Sequence, residues 1–425
     1  MSYRWLKLSL ALSSALILAL PVVASAQTSR VEGMAIQGDY IKDYTGIFTY
    51  VNDVASVGNL VYGELGNYAG ANTPLDRSVG MVLGNLFDGR GGVWSLHLRE
   101  FTPALGQGDV TSSPSPDDTG VLGADPNFNT VEAFDLMWAK KFGTTSFGLR
   151  LNRSHGRLED EPLGGPVTSF EYDYTQGLAT NPNFARNVLG FGAGVGFELN
   201  PNSTAEVSVM YQKRTYEIDA PPAPTISDDG PTTFQVAARM MWQWQPNVML
   251  VPVIKYHSID LSETDGTPAG TFDNKLTGWQ AGIAGNWSLG TNDLFVLGMT
   301  FAQNKIDQEE DLFGAGFAVG KITETYTPQL FAALETHVNP WLTLRFGANK
   351  GAWHKVEFKG EDPGAEETVT LSDSPFNMSL GAGVKIGTLQ LDGVLNQAIA
   401  QNGLYFISGS SNTPLASKVT ATYSF

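Results

Sequence analysis

In residues 341–349, WLTLRFGAN, every second side chain is apolar: Leu342, Leu344, Phe346 and Ala348 alternate with Trp341, Thr343, Arg345, Gly347 and Asn349. A period of two places the first set on one face of an extended strand and the second set on the other. The same split recurs as Phe147, Leu149 and Leu151 against Gly148, Arg150 and Asn152. It returns as Phe234, Val236, Ala238, Met240, Trp242 and Trp244 against Gln235, Ala237, Arg239, Met241 and Gln243, and again over 376–386. A chain built on this repeat is all-β, with one apolar face on nearly every strand.

The punctuation between strands comes in two alternating sizes. Short turns fall at Asp88-Gly89, Gly143-Thr144, Asn200-Pro201-Asn202, Gln245-Pro246-Asn247, Gly290-Thr291-Asn292-Asp293, Asn339-Pro340 and Gly387-Thr388, all turn-forming chemistry. Between them run long connections at approximately 67–77, 102–129, 157–185, 217–230, 260–273, 305–320, 357–374 and 399–414. Eight long loops and seven short turns predict about sixteen antiparallel strands, with fourteen and eighteen as the neighbouring alternatives. Tight turns alternating with long loops describe a transmembrane up-and-down antiparallel β-barrel. Closure is obligatory there, because an open edge would leave backbone N–H and C=O groups unsatisfied in hydrocarbon.

Aromatic side chains gather beside the short turns: Trp138, Phe142, Phe197, Trp242, Trp244, Trp287 and Trp341, as an interfacial girdle requires. The six long connections between 102 and 374 hold 27 of the 43 acidic residues and only Arg157, Lys305 and Lys359 as basic ones, which predicts an anionic outer rim. At the other end of the chain, Arg4 and Lys7 precede an apolar run from Leu8 to Val23 and the small-residue site Ala24-Ser25-Ala26. Those are the three regions of a secretory signal peptide over 1–26, and they predict export and residence in a Gram-negative outer membrane. Its removal takes away two basic residues and deepens the formal charge from −17 to about −19, which argues against a nucleic-acid partner. With no cysteine in the chain, hydrogen bonding and burial alone must hold the fold.

Once the apolar parity faces lipid, the other parity faces the lumen. It carries His97, Arg99, Asp135, Arg150, Glu206, Arg239, Lys255, His257, Glu335, Arg345, Lys385, Asp392 and Lys418. Ionised groups do not stay unpaired in a dry interior, so this set implies either a water-filled, charge-lined conduit or opposite charges that pair and brace the wall. Arg150, Arg239, Arg345, Lys385 and Lys418 would form the basic side of a conduit for passive passage of small solutes. A barrel with a permanently blocked lumen, acting in structure or surface binding, is the alternative. The run Val188–Phe197 points Gly190, Gly192, Gly194 and Gly196 inward, leaving room for an inner segment or a ligand.

Catalysis finds little support. Ser154 and His155 are adjacent on a strand and so point to opposite faces, which places them poorly as nucleophile and base of a barrel lipid hydrolase. Acidic runs such as Glu309-Glu310-Asp311 lack the spaced ligand pattern of a calcium loop. The reading is a non-enzymatic barrel without cofactor or metal, whose partners are outer-membrane lipid and lipopolysaccharide, the barrel assembly machinery and a small solute.

Residues 31–66 open with Gly33-Met34, continue through Asp43, and reach Ile47-Phe48-Thr49 before the first strand. This stretch resembles the N-terminal segment of the long-chain fatty-acid transporter family of outer-membrane barrels. The family's Asn-Pro-Ala turn is replaced here by Tyr50-Val51-Asn52-Asp53-Val54-Ala55. The resemblance implies a short plug over 27–57, a barrel over 58–425, and a hydrophobic molecule among the candidate solutes.

The sequence finishes Lys418-Val419-Thr420-Ala421-Thr422-Tyr423-Ser424-Phe425. Val419, Ala421, Tyr423 and Phe425 share the lipid-facing parity. This ending resembles the signature by which such barrels present a last strand to the assembly machinery, with Phe425 as both girdle residue and recognition element.

Overall fold

The computed structural model describes residues 28–66, 77–84, 86, 90–99, 132–158, 183–219, 226–228, 232–260, 263–264, 271–272, 275–290, 292–309, 319–361, 367–395 and 416–425. The expected signal peptide, most of the long connections and the Asp88-Gly89 turn lie outside the described residues.

Sixteen strands form one antiparallel wall among the described residues. In chain order they are β1 Leu60–Gly66, β2 Arg77–Leu83, β3 Val93–Arg99, β4 Glu132–Phe142, β5 Thr145–Leu158, β6 Asn183–Asn200, β7 Ser203–Asp219 and β8 Thr232–Gln245. There follow β9 Val248–Asp260, β10 Lys275–Leu289, β11 Asp293–Gln308 and β12 Gly320–Asn339. β13 runs Leu342–Gly351 and resumes at His354–Gly360, β14 runs Glu367–Asp373 and resumes at Phe376–Ile386, and β15 Leu389–Leu395 and β16 Ala416–Ser424 complete the wall. Each strand pairs with its sequence neighbours, and the first pairs with the last, from Leu60 opposite Ser424 to Gly66 opposite Lys418. That pairing closes the barrel and removes the sheet edge.

The two parities separate as the alternation requires. Val61, Leu149, Val207, Phe234, Ile254, Leu297, Leu344, Phe346 and Tyr423 are all exposed on the outer surface, while Arg150, Gln235, Arg239, Lys255, Arg345 and Thr422 are buried within. Phe142, Phe197, Trp242, Trp244 and Trp341 stand exposed beside the short turns. Val419, Tyr423 and Phe425 face outward, with Tyr423 and Phe425 stacked at 6.0 Å.

Several strands outrun the connections expected from sequence. A crossing needs about 9–11 tilted residues, yet β6 has 18 and β12 has 20. Residues 305–308, 357–360 and 367–373 are strand where loop was expected. Above the membrane a strand needs no apolar outer face, so the period-two signal fades there although the hydrogen-bond ladder continues.

Inside the barrel, residues 28–57 form α1 (Thr28–Glu32) and three short 3-10 turns, Gly38–Tyr40, Tyr44–Phe48 and Val51–Ser56. Val31, Met34, Tyr40, Ile47, Tyr50 and Val54 are wholly buried. Val31, Met34 and Tyr40 join an apolar cluster with Val251, Val253, Ala284, Val296 and Phe331 of the wall, and Ile47 and Val54 join a second with Leu60, Tyr62, Val82 and Met137. The wall is therefore apolar on both faces beside the short turns.

Changing Leu297, in the middle of the outer belt, to Lys is expected to lower stability by roughly 2–4 kcal/mol, whereas Trp353→Lys, at the interruption of β13, is expected to change it by about 0–1 kcal/mol. Equilibrium unfolding in lipid vesicles measures both.

Candidate functional site

The inner segment is fixed first by its own caps. Asp43 precedes the Tyr44–Phe48 turn and accepts from the Thr45 backbone N–H at 2.9 Å and the Thr45 hydroxyl at 3.0 Å. Its other carboxylate oxygen takes Arg30 Nη1 at 2.7 Å, tying α1 to this turn. Gly347 of the wall is where the segment comes nearest: a Cβ there would collide with the Met34 carbonyl. Asn349 Nδ2 donates to the Ala35 carbonyl at 3.1 Å, and Asn286 Nδ2 to the Tyr40 carbonyl at 2.8 Å. Backbone groups that no helix satisfies are thus met by side chains of the wall.

Charge does the rest of the fastening. Arg30 makes a bidentate pair with Glu335 of β12, at 2.8 and 2.7 Å, and Glu335 also accepts Arg345 Nε at 2.6 Å. Arg345 continues to Asp392 on β15. Burial alone would lower the Arg30 guanidinium, but the Glu335 and then the Asp43 carboxylates raise it above its ordinary value, so it stays charged. On β16, Lys418 Nζ lies 2.6 Å from Glu32 of α1 and 3.3 Å from Glu64 of β1. Ser29 and Thr420 share a hydroxyl bond of 2.6 Å beside them.

Across the lumen, Arg239 of β8 joins Glu206 of β7 at 2.7 Å to Asp53 of the segment, with its guanidinium 4.1 Å from the Tyr50 ring centre. Lys255 of β9 pairs with Asp39. Arg150 of β5 holds Asp135 at 2.7 Å and the Phe48 carbonyl at 2.6 Å, while Arg99 pairs with the same Asp135 and lies 3.8 Å over the Phe48 ring. His97 Nδ1 stands 3.0 Å from the Tyr44 hydroxyl and 3.1 Å from that of Tyr62. Burial pushes the Tyr40 hydroxyl up to about 12, so it stays protonated for its 2.8 Å bond to Thr300.

Thus Arg99, Asp135, Arg150, Glu206, Arg239, Lys255, Glu335, Arg345 and Lys418 all face inward, and their charges meet one another or the inner segment. Lys385 shares their parity but is exposed at the mouth, beside the Gly387-Thr388 turn. The side chain of His155 lies outside the described residues. Gly194 and Gly196 lie against Val51 and Asn52 of the segment, whereas the space at Gly190 and Gly192 is taken by Gln212, Met210 and Arg150 of the wall.

Sequence reasoning missed the segment's own half of the network, namely Arg30, Glu32, Asp39, Asp43 and Asp53. A usable signal was Val248–Ile254, nearly all apolar on both parities, which marks a strand covered on both sides. Arg239→Met should cost roughly 3–5 kcal/mol in a denaturant titration, because Glu206 and Asp53 would be left buried against each other. Adding Glu206→Gln and Asp53→Asn should recover most of that loss.

No protein-family model and no curated protein matches the sequence. Among solved structures, a Pseudomonas aeruginosa FadL homologue is 11% identical, with 94% of this chain and 98% of that one covered and a TM-score of 0.42. The P. putida toluene transporter TodX is 9% identical, with coverages of 91% and 95% and a TM-score of 0.37. CdiB from Escherichia coli is 8% identical over 86% of this chain, which spans only 63% of that one, at a TM-score of 0.42. At such identities the likeness is one of fold. The closed sixteen-stranded wall, its apolar belt and its polar interior are those of a transmembrane up-and-down β-barrel.

Proposed function

We propose that the chain is an outer-membrane passage barrel for small solutes, closed at rest by residues 27–57 acting as a plug. The carrying observation is how the segment is held: Arg30, Glu32, Asp39 and Asp53 each meet an opposite charge on the wall. A buried ion pair is worth little net stability, because separating the charges into water regains their hydration. A plug fastened in this way is secure while dry and releasable once water reaches it. An inner segment meant to stay for good would need only the apolar packing.

In this reading Arg239, Lys255, Lys418 and Glu335, the last backed by Arg345, serve first as plug anchors and become the charged wall of a mixed-charge conduit when the plug moves. Arg150 and Arg99 hold Phe48 from the wall and remain with Asp135. Passage is passive, with no cofactor and no covalent chemistry. Export through a signal peptide cleaved after Ala26 belongs to the same reading, as does an anionic outer rim facing lipopolysaccharide. A permanently blocked barrel is favoured by the two apolar clusters around the segment.

Planar-bilayer recording separates the two. The native barrel should show rare openings, and the combined Arg30→Gln, Asp39→Asn and Asp53→Asn variant should be open for much longer. Silence in both would defeat passage in favour of the blocked barrel.

A further inference from the structure

One stretch of the inner wall is polar, and none of the ion pairs described above between wall and plug falls on it. Gln235 on β8 lies opposite His257 on β9, His257 opposite Gly278 on β10, Gly278 opposite Asn304 on β11, and Asn304 opposite Glu324 on β12. This is one row across five adjoining strands. Gln280 stands two residues from Gly278 on the same face, diagonal to His257. Gln235, His257, Gln280, Asn304 and Glu324 are each 3–5% exposed.

Three atoms here have no hydrogen-bond partner among the described residues: Gln235 Nε2, His257 Nε2 and Gln280 Oε1. They are a donor, a ring nitrogen that acts either way by tautomer, and an acceptor. Buried polar atoms are nearly always satisfied, so three that fall together on one face of consecutive strands single out this stretch of the wall. At Gly278 a side chain would strike both His257 Nε2 and Asn304 Oδ1, so the glycine lets these two polar groups close over the backbone of β10.

We propose that this row is a binding site for a small uncharged solute bearing hydroxyl or amide groups. The charge balance sets the class. Lys255, opposite Gln280, is held by Asp39, and Glu324 already engages Asn304 Nδ2 at 3.3 Å and His354 Nε2 at 2.9 Å. Among the described residues the wall therefore offers dipoles to the solute and no uncommitted charge. A hydrocarbon would leave all three atoms unsatisfied, and an ion would find no counter-charge to meet it.

The site also touches the plug. Gln280 Nε2 donates to Gln37 of the inner segment and lies 3.5 Å from the Tyr40 hydroxyl. A solute that draws Gln280 toward itself weakens that fastening, so binding would favour opening. This coupling rests on the passage reading, whereas the site itself does not.

Equilibrium dialysis of the purified, detergent-solubilised barrel against labelled glucose and N-acetylglucosamine tests the site. Saturable binding of at least one sugar is expected. Gln235→Leu with His257→Leu should weaken it about tenfold or more, the scale of one well-made hydrogen bond, at unchanged heat-modifiable gel mobility. If that pair fails to fold, Gln280→Leu should weaken binding by a similar factor. Absence of saturable binding for both sugars, or undiminished affinity in the folded variants, would overturn the site. A barrel that binds sugar yet never conducts defeats passage and leaves the site standing.

Discussion

The pairing of β1 with β16 is the constraint on which everything else rests. A membrane-embedded strand must satisfy every backbone group within the sheet, so the wall cannot end and has to meet itself. Sixteen strands closed in this way enclose an interior too wide for the wall's own side chains to fill. That leaves two solutions, water or a further piece of chain. Here residues 28–57 lie on the short-turn half of the interior, reached by side chains from nearly every side of the barrel.

The contacts of that segment are mixed in a way that explains how it is held. Apolar side chains such as Met34, Ile47 and Val54 meet apolar side chains of the wall, while Arg30, Glu32, Asp39 and Asp53 reach its charges. The apolar clusters supply the cohesion. The ion pairs supply position, since each charge is costly anywhere except opposite its partner. Arg30 is the clearest case, because it joins two parts of the segment to β12 and, through Glu335, to Arg345 and Asp392.

The barrel was legible because lipid imposes a rule on every second residue, and Leu342, Leu344 and Phe346 obey it without reference to any distant part of the chain. Parity also placed Arg150, Arg239, Arg345 and Lys418 inward. What parity could not give was a partner, since Arg239 and Asp53 are brought together by closure and by the folding back of the segment. The outer reaches of β12 to β14 were illegible for a different reason: Lys355, Glu357 and Lys359 stand above the membrane, where neither face has to be apolar. Lys385 shows the limit of parity at the other end, because inward direction at a barrel mouth still means exposure.

The central claim is that the N-terminal segment occupies the lumen and closes it. The hydroxyl oxygens of Ser29, on the segment, and Thr420, on β16, lie 2.6 Å apart, and the chain has no native cysteine to interfere. A Ser29→Cys, Thr420→Cys barrel should therefore form a single disulfide on oxidation. The decisive measurement is solute flux into liposomes carrying this barrel, oxidised and then reduced. The cross-linked barrel should pass no solute and recover flux on reduction; failure to cross-link, or equal flux in both states, would rule out a segment that closes the lumen.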